Sequence, residues 1–183
     1  MQNRTSRIPQ QPALNRADLE AGLSVELAAV VTGARRRALR DGDRYIDTAH
    51  LLHSLIEADP EVRTALDEGQ QLAKVLGYLV QRSIGYGLRW QGSVEDSGAV
   101  PVVTTPGKRP RDTGVEGWSP SAASVLAEAR ERARRRGDVR AGGLDLLTAL
   151  SMDRECRAVE VLERAGVDTR RLAARIVRAT GWP

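Results

Sequence analysis

The chain has 183 residues, a formal net charge of +4, 41% hydrophobic and 3% aromatic residues, no Phe and a single Cys. That length suits one compact domain or two small ones, and with so few aromatics burial falls to Ala, Leu and Val, which favour close-packed helices. One thiol excludes an internal disulfide and a Cys-rich zinc site, and no apolar run reaches membrane-spanning length.

The N-terminal stretch is polar, contains Pro9 and Pro12, and shows neither a sustained period nor the apolar run of a signal peptide. Residues 1–22 are therefore expected to form a flexible arm, and the default location is cytoplasmic. From Ser24 the pattern becomes helical, with Leu27, Val31, Ala34 and Ala38 on one stripe and Gly42 as the stop. Thr48 is expected to cap a second helix carrying Leu51, Leu52 and Leu55. Asp59-Pro60-Glu61 restarts the chain as a third, with an N-cap acid and proline at the first helical position. A fourth helix, about 70–84, presents Leu72, Val75, Leu76, Leu79 and Val80.

Residues 85–117 are rich in Gly, Pro and Asp, and Pro101 argues against a central strand, so this segment reads as a long connecting loop. Ser119 and Pro120 then open a helix whose buried stripe is Ala122, Leu126, Ala129 and Ala133, ending at Gly137. Three more helices follow, in "LDLLTALS", "DRECRAVEVLERAG" and "DTRRLAARIVRATG".

The second half repeats the first at an offset of 95: Ser24 meets Ser119, Ala34 meets Ala129, Gly42 meets Gly137, and Leu51, Leu52 and Leu55 meet Leu146, Leu147 and Leu150. The expectation is an all-α fold of about eight helices. Two four-helix repeats, 23–84 and 118–183, would pack about a pseudo-two-fold axis as one compact domain, 23–183.

The motifs "YIDTAHLL" and "VLERAGVD", with the hydroxyl residues Ser24 and Ser119 opening the repeats, resemble the Clp N-terminal domain. That doubled helical repeat stands at the front of AAA+ unfoldases of the ClpC, ClpA and ClpB type. The match covers about 23–84 and 118–176. Nothing in the chain resembles the ATPase modules, and "TPGKRP" lacks the spacing and hydroxyl of a phosphate loop. The resemblance implies a free-standing, non-catalytic module that binds proteins or peptides, with no cofactor. It would be an adaptor, competitor or decoy near a Clp unfoldase. The abundance of Arg over Lys suggests a GC-rich bacterial source.

In ClpC-type members a glutamate of each repeat receives the guanidinium of phosphoarginine; the matching positions here are Ala49 and Leu144. Neither can accept that hydrogen bond, so docking in the family's mode is not expected unless Asp145 substitutes. Related domains bind cyclic-peptide antibiotics through an aromatic at the start of the second repeat, kept here as Trp118, and through basic residues at positions matching Ala28 and Ala123. Sequestration of such peptides is an alternative function. The resemblance thus marks Ser24, Trp118, Ser119 and Asp145 as ligand-binding candidates. Trp118 reads equally well as a core anchor or an exposed one.

Other patterns are weighed against plainer readings. His50 and His53, with Asp47 or Glu57, have the spacing of a metal pair, yet they sit among buried leucines and read as packing or capping residues. Cys156 lies beside acids that would raise its pKa, against a nucleophile. The arginine runs at 34–40 and 130–136 fall at helix C-termini, where cations complement the dipole. No aromatics interleave with them, so a nucleic-acid-binding regulator stays an alternative only. An enzyme is the least favoured class, because no nucleophile–base pair or paired-acid motif stands out.

Overall fold

A computed structural model describes residues 20–67, 70–83, 94–95 and 117–181. The proposed arm lies outside these apart from residues 20–22. So does the proposed loop apart from Val94, Glu95 and Gly117. The described residues form eight helices: α1 Val25–Asp41, α2 Thr48–Ala58, α3 Pro60–Leu66, α4 Gln71–Ser83, α5 Pro120–Arg136, α6 Gly143–Met152, α7 Arg157–Arg164 and α8 Thr169–Ala179. The fold is all-α, as the periodicity predicts, and α1–α4 correspond in order to α5–α8.

Local chemistry sets the helix ends. The Ser24 hydroxyl accepts from the Leu27 amide at 3.1 Å, and Ser119 accepts from Ala122 at 3.1 Å. Each satisfies an amide that the first helical turn leaves without a partner. At the other end Gly42 and Gly137 take φ of 73° and 88°, a left-handed conformation that disfavours other residues. The next amides, Asp43 and Asp138, return to Ala38 and Ala133 carbonyls at 2.9 Å, closing both helices in the same way. One expected cap moves by a residue: Asp47 caps α2 and Thr48 is its first residue. The Asp47 carboxylate accepts from the His50 amide at 2.9 Å, which leaves the Thr48 hydroxyl free for other work.

Packing follows from the stripes. Leu27, Val30, Val31, Ala34 and Ala38 of α1 are buried together with Leu51, Leu52, Leu55 and Ile56 of α2. In the second repeat Ala122, Val125, Leu126, Ala129 and Ala133 are buried with Leu146, Leu147 and Leu150. Helices α2 and α6 are buried along most of their length and contact each other as well as the outer helices of both repeats. Each fully buried Leu contributes about 1.5–3 kcal/mol relative to an exposed one. In α4, Val75 and Leu79 are buried while Val80 is half exposed.

The two repeats are joined reciprocally. The strand-like start of each pairs with the loop before the second helix of the other, in isolated parallel bridges Leu23–Ala141 and Ile46–Trp118. The Ser24 amide donates to the Ala141 carbonyl and the Ala141 amide to Gly22, both at 2.9 Å. The Ser119 amide donates to Ile46 and the Ile46 amide to Gly117, both at 2.8 Å. Every residue in one set lies 95 positions from its counterpart in the other, so the pseudo-two-fold relation extends to individual hydrogen bonds.

Candidate functional site at the helix N-termini between the repeats

The reciprocal pairing brings the N-termini of α2, α5 and α7 together. At their meeting point lies Glu95, 5% exposed, from the connection between α4 and α5. One carboxylate oxygen accepts from the Thr48 amide at 2.8 Å and from the Ser119 hydroxyl at 3.0 Å. The other accepts from the Arg157 amide at 2.6 Å and from the Thr48 hydroxyl. The Thr48 oxygen in turn accepts from the Ala158 amide at 3.0 Å. Two helix N-termini, one from each repeat, thus close on a single negative group, the arrangement favoured by their amides and dipoles.

A second carboxylate lies beside it. Asp47, 1% exposed, is held by Arg157 at 2.6 Å and Arg82 at 2.5 Å. Burial alone would raise its pKa, but His50 and Arg82 hold it well below the usual carboxylate range. Glu95 moves the opposite way. Burial and the Asp47 charge raise its pKa, against the pull of its amide and hydroxyl donors. The Arg157–Asp47 pair joins the repeats through side chains as the bridges do through backbone.

The residues marked by the resemblance fall in different surroundings. Ser119 is 1% exposed and belongs to the Glu95 cluster. Its counterpart Ser24 is half-buried and caps α1. Trp118, left open as core or surface, is 1% exposed and lies in the core. Ala49 is fully buried, whereas Leu144 is partly buried against the core. The Asp145 carboxylate accepts from the Gly142 amide at 2.9 Å and from Arg136 at 2.7 and 3.0 Å. Those bonds occupy both oxygens that a ligand's guanidinium would need. Asp145 corresponds to His50, and both reach back to the residue that begins their helix.

The histidines engage different groups. His50 Nδ1 accepts from the Asp47 amide at 3.1 Å, while Nε2 faces Asp43 at 3.1 Å and Asp41 at 3.7 Å. Asp41, Asp43 and His50 are close enough to surround an ion. His50 Nδ1 also lies 2.8 Å from an Asp47 carboxylate oxygen, and Nε2 makes no hydrogen bond among the described residues. Arg82 also lies 3.1 Å from Asp43. His53 instead meets Arg37 at 3.2 Å and Glu57 at 3.5 Å; burial, then the Arg37 charge, push its pKa down to about 4.

Cys156 is 1% exposed, and burial pushes its thiol up to about 12, which removes the thiolate a nucleophile needs. The arginine runs are largely engaged within the chain: Arg35 with Glu20, Arg37 with Glu57, Arg134 and Arg135 with Glu131, and Arg136 with Asp138 and Asp145. A cleft of about 220 Å³ also lies between the repeats, lined in part by Ala65, Gln71, Val167 and Leu172, and Arg175 reaches the Ala65 carbonyl beside it. No helix among the described residues is long and apolar enough to cross a membrane.

The Glu95 cluster escaped the sequence reading because its members are 24 to 62 residues away from Glu95. One local signal pointed toward it: the N-cap of α7 is Cys156, a residue type that does not cap, and its side chain makes no capping bond.

The chain is similar to the N-terminal domain of the caseinolytic protease associated chaperone ClpD from Arabidopsis thaliana. The identity is 20% and the TM-score 0.60, over 87% of this chain and 95% of that one. It is also similar to a structure described as part of a malarial protein secretion system, at 15% identity and a TM-score of 0.59, with the same coverage of 87% and 95%. No family model and no curated protein matches the chain.

Proposed function

Starting from a chain that has the fold of a Clp N-terminal domain, we propose a non-catalytic module that binds proteins or peptides in a Clp unfoldase system. Its role there would be that of an adaptor or a competitor for substrates. The observation that carries this reading is the seam between the repeats. Helix N-termini and hydroxyls converge there on an acidic group, and the residues that meet are all buried. Such a seam holds a polar group by donors that the helices position.

The surroundings of Ala49, Leu144 and Asp145 support weak phosphoarginine binding. The burial of Trp118 argues against cyclic-peptide sequestration through an exposed aromatic, and the internal pairing of the arginines disfavours a nucleic-acid regulator.

The test immobilises the full chain and measures binding of a Clp unfoldase, an unfolded substrate protein, a phosphoarginine peptide and a cyclic peptide side by side. Binding of the unfoldase or the substrate is expected, with phosphoarginine and the cyclic peptide weak. Retention of neither unfoldase nor substrate rejects the reading, and turnover of any substrate by the pure chain rejects its non-catalytic part.

A further inference from the structure

In each repeat the end of the first helix meets the start of the second, and the two junctions are charged differently. In the second repeat Arg136, the last residue of α5, places its guanidinium between two carboxylates. It lies 2.6 Å from Asp138 and 2.7 Å from Asp145. The residues 95 positions earlier are Asp41, Asp43 and His50. Asp41 ends α1, Asp43 follows the left-handed Gly42, and His50 stands in the first turn of α2. Replacing Arg136 by Asp41 thus takes the cation out of the middle of the junction and puts a carboxylate in its place.

The three side chains of the first junction are arranged as the shell of an ion. His50 Nε2 is buried and lies 3.1 Å from Asp43 and 3.7 Å from Asp41, yet it hydrogen-bonds to neither. The Asp43 oxygen is close enough for such a bond, so it is the direction that fails. A tetrahedral zinc ion, with nitrogen and oxygen ligands about 2.0–2.2 Å away, holds those atoms about 3.4 Å apart. The observed separations of 3.1 and 3.7 Å bracket that value, and all three ligand atoms lie within 4.8 Å of one another.

The far side of the ring is braced as in metal-bound histidines. Nδ1 lies 2.8 Å from the carboxylate of Asp47, which is buried. With its proton on Nδ1 the ring donates to Asp47 and turns the Nε2 lone pair toward Asp41 and Asp43. The other tautomer, with Nδ1 accepting from the Asp47 amide at 3.1 Å, points a proton into the junction and is the one an ion displaces. The neighbouring donors do not take the place of Arg136. Arg82 reaches Asp43 at 3.1 Å but also holds Asp47 at 2.5 Å, Arg40 lies 3.8 Å from Asp41, and the Ser83 hydroxyl donates to Asp41 at 3.2 Å. None of them hydrogen-bonds His50 Nε2. The Asp43 side chain is 42% exposed, which opens the junction to solvent, and the C-terminal end of α1 favours positive charge there.

We propose that Asp41, Asp43 and His50 bind a divalent transition-metal ion of the zinc type, which stands in the first repeat where the Arg136 guanidinium stands in the second. An imidazole with two carboxylates selects such an ion over calcium or magnesium, which prefer shells of oxygen alone. On entry the ion replaces Arg82 at Asp43, while Arg82 keeps Asp47. It clips the end of α1 to the start of α2. The inference goes beyond the protein-binding reading and does not depend on any Clp partner.

The experiment titrates full-length wild type with zinc, calcium or magnesium chloride at constant ionic strength. It follows the ring nitrogens of both histidines and the melting temperature. Zinc shifts His50 Nε2 saturably and raises the melting temperature, while His53 stays in place at the same zinc concentration. Calcium and magnesium leave His50 unmoved. Asp43→Asn weakens zinc binding at least about tenfold, the loss seen even when only a partner of a ligand is removed. Asp41→Arg copies the second repeat, so it folds without zinc and no longer binds it.

A response of both histidines with one midpoint assigns the ion to another place and rejects the proposal. Calcium shifting His50 as readily as zinc reduces the site to an acidic pair and rejects the choice of metal. The site itself is rejected by unchanged zinc affinity in Asp43→Asn or by no saturable response in wild type. Should Asp41→Arg not fold, the partly exposed Asp43→Asn decides alone. The titration contains no Clp component, so its failure and failure of the unfoldase-binding assay are distinguishable.

Discussion

Ala49 and Leu144 hold equivalent places in the two repeats but unequal surroundings. Ala49 is fully buried, two residues from the buried Asp47 carboxylate, whereas Leu144 is partly exposed. Ala49→Glu is expected to lower stability by several kcal/mol, because it buries a charge with no partner. Leu144→Glu is expected to cost about 1 kcal/mol or less, since its carboxylate can reach water. Chemical denaturation of the two variants checks the difference, and equal losses would contradict the placement of Ala49. His53 makes a separate prediction. With its folded pKa pushed down to about 4, the unfolded chain takes up a proton first as pH falls, so stability declines from about pH 6.5 toward pH 4. His53→Gln should flatten this part of the stability–pH curve by on the order of 1 kcal/mol.

At the scale of the helix, the two opening serines separate a shared role from an unshared one. Both cap their helices, but only Ser119 also donates to Glu95. Ser24→Ala is expected to cost about 1 kcal/mol, the usual value of an N-cap. Ser119→Ala should cost about 1–2 kcal/mol more, because a buried charged acceptor loses a donor as well. Denaturant midpoints of the two variants measure the gap, and equal midpoints would count against the Glu95 contact. Helix α7 shows why that contact exists. Its own N-cap, Cys156, makes no side-chain capping bond, and the Arg157 amide at its start is satisfied from another part of the chain.

For the whole molecule, the reciprocal bridges mean that neither repeat completes its own structure. Trp118, at 1% exposure, pairs with Ile46 of the other repeat, and Leu23 with Ala141. The buried Asp47–Arg157 pair also crosses the seam, so separating the halves takes one partner from each of two buried charges. Residues 117–183 expressed alone are expected to show no cooperative thermal transition, and mixing them with residues 1–83 should restore at most a weak one. A cooperative melt of either half in calorimetry would show that the seam is dispensable.

The sequence alone determined what depends on neighbours in the chain. Helical stripes, serine N-caps, the glycines at 42 and 137 and the 95-residue repeat are legible because helix geometry couples residues only a few positions apart, and a duplicated helix keeps its spacing. Tertiary structure decided the burial of Trp118, the occupation of Asp145 by Arg136 and the entry of Glu95 between α2 and α7. In the Glu95 seat the carboxylate and its donors come from separate helices. What selects Glu95 is the geometry of helix ends brought together by packing, and a linear pattern of residue types does not encode that convergence.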